Sequence, residues 1–420
     1  MELLINPTIS KPNQPMNYKL KLVILFEALL GATLLLSKCT GTSTETVVSS
    51  PESSQSSVFV ANPTLVAEQP VGKLAIGDEA PPFKLPGIDG KFHSLEDYAD
   101  ADVLVINFTC NHCPTAQAYE DRFIQVVEDY KGENVAFVAI SSNSPIAILP
   151  EELGYTDLSD TFEEMEIRAK DKSYNFPYLY DGDTHEFSLA YGPTATPHVF
   201  VFNKARKLSY SGRIDSSEKP GTANAEDLRK AVDLTLAGED LPEETAQTPA
   251  FGCSMKWAWK NDYTIKTNKA WDEKEVTIEK LSPSGLAELL KNDSEELLLV
   301  NFWATWCGPC IIEYPEFVTI QRMYGQRDFQ FASVSMDSPA QVDKALKFLK
   351  GKSSALPNYI MDTEDKYEVI DVVGNEWDGS LPITLLIEPG GNVAYKVSGT
   401  IDAHELKREI VDNPLIGRYY

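Results

Sequence analysis

Basic residues are scarce in this chain. Its 37 Lys and Arg stand against 63 Asp and Glu, which gives a formal net charge of −26 at pH 7. No cluster of Lys and Arg occurs along the sequence. Because binding to nucleic acid requires such clusters to neutralise phosphates, nucleic acid is excluded as a general partner. A solvated acidic surface is the simpler interpretation of the negative charge.

Cysteine is scarce too, and its placement is informative. The six cysteines comprise two Cys-x-x-Cys pairs and two single residues: Cys110-Asn-His-Cys113, Cys307-Gly-Pro-Cys310, Cys39 and Cys253. Each pair follows an apolar predicted strand and begins a predicted helix. There, unpaired N–H groups and the positive end of the helix dipole favour thiolate over thiol. A second thiol one turn later can close a disulfide, so the sequence predicts two redox-active disulfides.

A structural zinc site is the competing interpretation of two such pairs. Zinc ribbons usually bring their pairs together within a few tens of residues, on short turns. Here the pairs lie far apart, each follows its own apolar strand, and Pro309 lies inside the second pair. The sequence therefore favours redox chemistry, for which neither a metal nor an organic cofactor is required.

Strands and helices alternate along two stretches of the chain, in the same order each time. The elements around the two cysteine pairs are predicted at Val103–Phe108, Ala116–Tyr130, Val135–Ile140, Leu297–Phe302 and Phe329–Met336. Such alternation indicates parallel strands covered by helices on both faces of a sheet. At 420 residues the chain is long enough for two α/β domains, each with its own core.

By composition we divide the chain into six segments. These are a targeting segment (1–38), a flexible tether (39–72), a first domain (73–238), a linker containing Cys253 (239–272), a second domain (273–413) and a tail (414–420). The tether is rich in Ser, Thr and Pro, a composition typical of flexible linkers. The linker contains Trp257, Trp259 and Trp271, which are poor residues to leave in water, so we expect it to pack on other parts of the chain.

The targeting segment resembles a bacterial lipoprotein signal. Lys19 and Lys21 lie at the start of an apolar run, Leu20–Leu36, which ends shortly before Cys39. In such signals the cysteine is acylated and becomes the first residue of the mature protein, which makes Cys39 the predicted lipidation site. An uncleaved membrane anchor is the alternative. Both interpretations place the domains outside the cytoplasmic membrane.

The second domain carries Phe302-Trp-Ala-Thr-Trp-Cys-Gly-Pro-Cys310, which resembles the thioredoxin active site. Asn301, Glu313 and Pro315 narrow the resemblance to the TlpA-like branch of membrane-tethered thiol–disulfide oxidoreductases. The resemblance implies a thioredoxin fold, a three-layer α/β/α domain with a mixed central sheet. It also implies that Cys307 is an exposed nucleophile and Cys310 the resolving thiol.

Two further site predictions follow from that resemblance. Glu313 lies one turn past Cys310, where it could tune the dithiol or relay its protons, unless it is simply a solvated helical residue. Leu381-Pro382 matches the cis-proline position of the fold, opposite the dithiol, where backbone groups bind a substrate peptide.

The first domain resembles the redoxin (AhpC/TSA-like) side of the superfamily, in the peroxiredoxin-like group with a Cys-Asn-His-Cys-Pro centre. The motifs that carry the resemblance are Phe176-Pro-Tyr-Leu-Tyr-Asp181, Ala195-Thr-Pro197, Gly212-Arg-Ile-Asp215 and Phe251-Gly-Cys-Ser-Met-Lys-Trp257. By analogy, Cys110 attacks, Cys113 resolves, and Thr196-Pro197 is the substrate-binding cis-proline pair. For Cys253 the residues leave three roles open: buried packing, a resolving thiol or a metal ligand.

Peroxide reduction is the alternative activity for the first domain, with re-reduction by the second. Peroxidatic sites of this family need Pro-x-x-x-Thr-x-x-Cys together with an arginine. Aligned on Cys113, the threonine position holds Cys110 and the proline position holds Ile106. Arg213 does not obviously substitute for the missing arginine. The residues therefore favour disulfide exchange.

The dipeptides between the cysteines differ. His112 can be cationic and can donate hydrogen bonds, so it would stabilise thiolates and make the first disulfide the more oxidising one, unless it points to solvent. Gly308-Pro309 offers no charge, a pattern associated with reductants. We therefore predict a higher reduction potential for the first centre.

A copper chaperone is the rival from another functional class. Sco-like proteins share the fold, and Cys110, Cys113 and His198 could supply such a metal site. Those proteins place three residues between the cysteines, whereas this chain has two.

The sequence thus predicts a tethered extracytoplasmic thiol–disulfide oxidoreductase. Its predicted partners are extracytoplasmic protein thiols and disulfides and a membrane thiol reductase as electron donor. Cytochrome c apoproteins are a client class implied by the TlpA-like resemblance.

Overall fold

The computed structural model describes residues 59–374 and 377–419. The predicted targeting segment, most of the tether and Cys39 lie outside the described residues. Within the described ranges, every helix is too short or too polar to cross a lipid bilayer.

The first half of the described chain forms a five-stranded sheet with two small two-stranded ribbons. Its strands are β1 (Lys84–Pro86), β2 (Phe92–Ser94), β3 (Val103–Thr109), β4 (Val135–Ser141), β5 (Tyr178–Tyr180), β6 (Ala195–Thr196), β7 (His198–Phe202), β8 (Leu208–Gly212) and β9 (Cys253–Ser254). Its helices are α1 (Pro114–Asp129), α2 (Phe162–Lys172), α3 (Ser188–Tyr191), α4 (Glu226–Leu236), α5 (Glu243–Ala246) and α6 (Asn261–Asp272).

The main sheet has the strand order β5-β4-β3-β7-β8. Strands β3, β4 and β5 are parallel, and β7 pairs antiparallel with both β3 and β8. Alternate residues of β3 point to opposite faces. Val103 and Val105 pack with α1 and α4, while Leu104 and Ile106 pack with the core on the other face. The central strand is therefore buried on both sides, as its apolar sequence requires.

The second half repeats this architecture with one strand more. Its strands are β10 (Glu279–Leu281), β11 (Leu297–Trp303), β12 (Phe329–Ser335), β13 (Asn358–Met361), β14 (Ile383–Ile387) and β15 (Val393–Ser398). Its helices are α7 (Pro283–Lys291), α8 (Gly308–Tyr324), α9 (Val342–Lys350), α10 (Lys366–Val373) and α11 (Ala403–Asp412).

The second sheet has the order β10-β13-β12-β11-β14-β15. Strands β10 to β13 pair in parallel, and β14 and β15 are antiparallel. Leu297 and Leu299 of β11 face α8 and α11, and Leu298 and Val300 face α7 and α10. The predicted fold class, a mixed sheet between two helical layers, is confirmed in both halves.

The segment between β4 and α2 joins the two halves. Within this segment, Ile148 and Leu153 insert into the core that β11 and α8 build. Around this apolar contact, Arg322 forms an ion pair with Glu151 at 2.9 Å, and the Tyr324 hydroxyl donates to the Thr156 carbonyl at 2.8 Å. A segment of the first half therefore forms part of the core of the second half.

The predicted linker, 239–272, does not run free between the halves. Strand β9 pairs antiparallel with β6, which places Cys253 beside Thr196. Trp257 is buried against Leu189 and Met255, and Trp259 stacks on it at 5.5 Å between ring centroids. Trp271, at the end of α6, donates to the Ser353 carbonyl of the second half at 2.9 Å. The expectation that this segment packs on other parts of the chain agrees with these contacts.

Candidate functional site

The first cysteine pair lies where β3 meets α1. Cys113 is the N-cap residue of α1, and Pro114 occupies the first helical position, where the missing N–H costs nothing. Cys110 and Cys113 carry free thiols and are 2% and 0% exposed. The pair is therefore covered by protein, which we did not anticipate for a centre that meets other proteins.

His112 lies in a buried ion pair. Its Nδ1 lies 2.6 Å from Oδ2 of Asp160, and both side chains are inaccessible to solvent. Burial alone would lower the pKa of His112, but the facing carboxylate raises it above its usual value. The alternative that His112 points to solvent is therefore wrong.

Asp160 organises the loop between the two cysteines. Its Oδ1 accepts hydrogen bonds from the backbone N–H groups of Asn111 and His112, at 2.8 and 2.9 Å. Its Oδ2 also accepts from the side-chain amide of Asn143 at 2.9 Å. Burial opposes its charge, but His112 and these donors hold the pKa of Asp160 below its usual value. We did not predict this residue, because nothing in the local sequence marks it.

The sulfur of Cys113 receives several hydrogen-bond donors. Burial raises the pKa of a thiol, but the Cys110 and Cys253 thiols, the cationic His112 and a helix N–H hold the pKa of Cys113 well below its ordinary value. The backbone N–H of Cys253 also donates to this sulfur, at 3.3 Å. The Thr196 carbonyl oxygen, 3.3 Å away, is an acceptor and acts against the thiolate, but the donors outnumber it.

Cys110 is the less acidic member of the pair. Burial raises its pKa, and so does its hydrogen bond to Cys113. Its Sγ lies 3.2 Å from the Thr196 hydroxyl. These surroundings favour Cys113 as the thiolate of the reduced pair. Which of the two cysteines attacks a client stays a prediction.

The second cysteine pair lies where β11 meets α8, and it forms a disulfide between Cys307 and Cys310. Cys307 is the N-cap residue, and its Sγ accepts from the Cys310 N–H at 3.4 Å. Cys307 is 6% exposed, less than we expected of an exposed nucleophile. Its sequence neighbour Trp306 is 64% exposed, so a large apolar side chain lies at the surface next to this disulfide.

A buried carboxylate also fixes the loop before the second pair. Asp337 accepts from the Thr305 backbone N–H at 2.9 Å and from the Thr305 hydroxyl at 2.5 Å. The Ser335 hydroxyl donates to it as well, at 2.8 Å. All these partners are neutral, unlike the histidine at the first centre.

Glu313 is buried beneath the second centre, so the interpretation of a solvated residue is wrong. Its Oε2 accepts from the Ile401 N–H at 3.0 Å, while its buried Oε1 has no hydrogen-bond partner among the described residues. Burial raises the pKa of Glu313 to about 7, although the Ile401 bond acts in the opposite direction. A carboxyl group in this state can exchange a proton near neutral pH.

Both proline positions carry cis peptide bonds, Thr196–Pro197 and Leu381–Pro382. Leu381 packs in the same cluster as Cys307 and Cys310, and Thr196 contacts Cys110. The two sites differ in one respect. The backbone of Thr196 is already paired with Cys253 of β9, whereas Leu381 belongs to no described strand.

The predicted copper ligands do not converge as a set. His198 is buried, which lowers its pKa to about 4, and its ring nitrogens are hydrogen-bonded to the Thr194 N–H and the Ser211 hydroxyl. A different trio, Cys110, His112 and Asp160, places its donor atoms within 4.8 Å of one another. Both oxygens of Asp160 already accept hydrogen bonds, so the ion pair explains this cluster without a metal.

Two sheets of matching order, each with a Cys-x-x-Cys pair at a helix N-terminus opposite a cis-proline, define a tandem thioredoxin-like protein. The AhpC/TSA family model matches residues 76–211 and 284–396, more than half of the chain. The chain belongs to the AhpC/TSA family, and it is a thiol–disulfide oxidoreductase.

Similar proteins include two curated bacterial relatives. The thiol-disulfide oxidoreductase ResA of Geobacillus kaustophilus is 26% identical over 156 residues, which cover 35% of this chain and 84% of that protein. The thiol:disulfide interchange protein HelX of Rhodobacter capsulatus is 27% identical over 149 residues, covering 34% of this chain and 76% of HelX.

Among solved structures, an uncharacterized conserved protein of Geobacillus kaustophilus is 37% identical, with a TM-score of 0.39. The match covers 44% of this chain and 92% of that structure. A hypothetical protein of Sinorhizobium meliloti is 32% identical with the same TM-score, covering 45% and 98% respectively.

Proposed function

We propose that both dithiol centres exchange disulfides with proteins outside the cytoplasm, and that the N-terminal segment tethers the protein to a membrane. The observation that carries this proposal is the second centre. There a disulfide at a helix N-terminus lies beside a cis-proline, with Trp306 exposed next to it. An exposed aromatic side chain beside a redox-active disulfide suits the docking of an unfolded or extended protein segment.

The chemistry at this centre is exchange through a mixed disulfide. In the reductive direction, the Cys307 thiolate attacks a client disulfide, and one client sulfur leaves as thiolate. The Cys310 thiolate then attacks Cys307, which releases the second client sulfur and restores the Cys307–Cys310 disulfide. Glu313 is a positioning residue that holds or supplies a proton for the buried Cys310.

Reduction of insulin disulfides by the purified full-length chain, with dithiothreitol as donor, tests this activity. We expect Cys307→Ser to abolish the catalysed rate, and Cys110→Ser with Cys113→Ser to retain most of it. Equal activity of the Cys307→Ser variant and the native protein would contradict the proposal.

Clients and electron source follow from the TlpA-like resemblance. We propose that a membrane thiol reductase reduces the Cys307–Cys310 disulfide and that cytochrome c apoproteins are clients. A disulfide-bonded peptide carrying Cys-x-x-Cys-His tests the client class, because the Cys310→Ser variant should hold it as a mixed disulfide on Cys307. A scrambled peptide without the paired cysteines is the control.

Tethering through Cys39 has a separate test. Cells expressing the protein with labelled fatty acid should incorporate the label, and Cys39→Ser should abolish incorporation. Label retained by the Cys39→Ser protein would reject lipidation at this residue.

Disulfide exchange is also favoured over peroxide reduction in the first domain. Cys110 occupies the position of the peroxide-orienting threonine. Two arginines of the first half are engaged elsewhere: Arg122 donates to Asp215 at 2.6 Å, and Arg213 donates to Asp227 at 2.7 Å. Neither is free to orient a peroxide beside Cys113.

A further inference from the structure

The first centre contains a third thiol. Cys253 lies far from the pair in sequence, yet its backbone N–H donates to Cys113 Sγ at 3.3 Å, and its thiol lies within hydrogen-bonding reach of the same sulfur. Cys110, Cys113 and Cys253 pack in one cluster with Ala116. Cys113 is the central sulfur of this set, with a thiol on each side.

The segment that carries Cys253 fits closely against the cis-proline. Gly252 has a φ of +143°, and a Cβ at this position would lie 2.0 Å from the Thr196 carbonyl oxygen. Only glycine allows the two backbones to approach this closely. Strand β9 then pairs with β6 in the register Thr196 to Cys253, so the chain itself fills the position where a client peptide would pair.

Contacts further along hold the same segment in place. The Ser144 N–H donates to the Lys256 carbonyl at 2.8 Å, and the Lys256 N–H donates to the Asn143 side chain at 2.8 Å. The Ala258 N–H donates to His185 Nε2 at 2.7 Å. The position of Cys253 is therefore specified by several bonds and is not a chance approach of a loop.

The three thiols differ in how far they are exposed to solvent. Cys110 and Cys113 are buried, whereas Cys253 is only partly buried. A thiol or disulfide arriving from solvent therefore meets Cys253 before it meets the pair. A cysteine that merely filled space in the core would not need this position at the edge of the cluster.

We propose that Cys253 is a third redox cysteine, which carries disulfide exchange between the buried Cys110–Cys113 pair and protein thiols outside. This inference rests on the proposed disulfide-exchange function and extends it to the first centre. Cys113 would form a disulfide with either neighbour, with Cys110 on the inside or with Cys253 on the outside.

The steps balance without an added oxidant. From the Cys110–Cys113 disulfide, the Cys253 thiolate attacks Cys113 Sγ, the Cys113–Cys253 bond forms, and the Cys110–Cys113 bond breaks. Cys110 leaves with the electron pair and takes up the proton that Cys253 released. A protein thiolate from outside then attacks Cys253, and Cys113 leaves as thiolate. A second thiolate of that protein attacks the sulfur bound to Cys253, the protein disulfide forms, and Cys253 leaves as thiolate.

The surroundings of Cys113 suit it to the second step, in which it is the leaving group. As the sulfur with the most donors it leaves readily, because a thiol of lower pKa leaves faster. The reduced cluster keeps Cys253 protonated, since its hydrogen bond to Cys113, burial and the neighbouring charge all raise the Cys253 pKa. Once Cys113 is in a disulfide, its charge is gone and Lys256 remains to favour the Cys253 thiolate.

Disulfide mapping of the full-length chain tests the proposal. In Cys110→Ser, mild oxidation with oxidised glutathione should link the tryptic peptides 92–122 and 231–256, whose only remaining cysteines are Cys113 and Cys253. We expect most of Cys113 to be recovered in this linked pair. Recovery of Cys113 as a glutathione adduct, with Cys253 still free, would overturn the proposal.

A matched control moves the thiol by one residue. Adding Cys253→Ser and Ser254→Cys to Cys110→Ser places the sulfur on the opposite face of β9, where Ser254 is exposed. We expect the linked pair to fall at least about ten-fold there, because successive strand residues point in opposite directions. Equal linkage from both positions would mean that any nearby cysteine reacts, and the proposal would fail.

A kinetic readout separates this proposal from the proposed function as a whole. Cys253→Ser should slow glutathione reduction of the Cys110–Cys113 disulfide by at least about ten-fold, because the partly exposed sulfur of the first centre is gone. Insulin reduction by the second centre should remain. Loss of both activities would point to a folding defect, which the mapping in Cys110→Ser avoids because it leaves Cys253 in place.

Discussion

The two centres share a frame and differ in what surrounds it. In both, a central strand delivers a Cys-x-x-Cys pair to a helix N-terminus, and a buried aspartate fixes the loop beside it. At the first centre that aspartate faces a charged histidine and a strand covers the thiols. At the second, the aspartate faces hydroxyl groups and the disulfide lies next to exposed Trp306. The difference shows how one fold can hold an internal centre and an outward-facing centre on the same chain.

The largest expected effect is a loss of stability when Asp160 is substituted. Asp160→Asn leaves the buried His112 without its counter-charge, and breaking a buried ion pair of this kind costs about 3 kcal/mol. The free energy of unfolding, from urea titration at pH 7, measures this loss. Asp337→Asn is the matched control at the second centre, and we expect about 1 kcal/mol because its partners are neutral. Equal losses would remove the electrostatic distinction between the centres.

Strand β9 covers the thiols of the first centre, and a substitution at Gly252 should displace it. Gly252→Ala forces a Cβ against the Thr196 carbonyl, so β9 must shift and Cys113 becomes accessible. We expect N-ethylmaleimide to label reduced Cys113 at least about ten-fold faster than in the native protein. Gly238→Ala is the control. Gly238 also has a positive φ, but a Cβ added there would meet no atom of the described residues within 4 Å. Unchanged labelling in Gly252→Ala would show that β9 does not restrict access.

Reduction potentials compare the centres directly. We predict the higher reduction potential for the Cys110–Cys113 disulfide, because His112 and the hydrogen-bond donors around Cys113 stabilise the thiolate of the reduced form. His112→Gln should lower that potential by about 30 mV for each unit by which the Cys113 pKa rises. Glutathione titration of variants that keep one pair intact measures both values, and equal or reversed potentials would refute the prediction.

The smallest expected effect is a pH dependence of the stability that Glu313 contributes at the second centre. Burial raises the pKa of Glu313 to about 7 from its ordinary 4.5, so the folded chain binds this proton more tightly than the unfolded chain. Stability from this group is complete below pH 4.5 and is lost as the pH rises through 7. After allowance for solvent screening, the loss is on the order of 1 kcal/mol.

Unfolding of Glu313→Gln at pH 5 and pH 8 measures that contribution. We expect the native protein to lose stability between the two pH values relative to this variant. Glu316→Gln, on the same helix, controls for the removed charge. If Glu313→Gln kept the full pH dependence of the native protein, the buried carboxyl would not be its source.

Local signals explain why so much of the fold was predictable. β3 and β11 are runs of apolar residues that end at a cysteine pair, and both appear in the structure within a residue of their predicted bounds. The motif at Cys307 is also local, so its helix could be placed from the sequence, whereas its cis-proline partner was placed through the family resemblance.

The surroundings of the first centre could not be predicted in the same way. Asp160 lies 48 residues from His112, and Cys253 lies 140 residues from Cys113, so only the folded chain brings them together. Burial likewise decided the state of Glu313, and no sequence pattern reports the depth of one helical carboxylate. The family resemblance extended to Cys253, but its contact with Cys113 required coordinates.

The segment 145–160 has a consequence for how such tandem proteins can be altered. At one end Ile148 and Leu153 fill the neighbouring half, and at the other Asp160 holds His112. A hybrid that took its second half from a relative would leave Ile148 and Leu153 without the core residues they contact, and the segment that positions Asp160 would be less well held. The two halves are therefore not interchangeable modules. A working hybrid must take residues 145–160 and the core that receives them from the same protein.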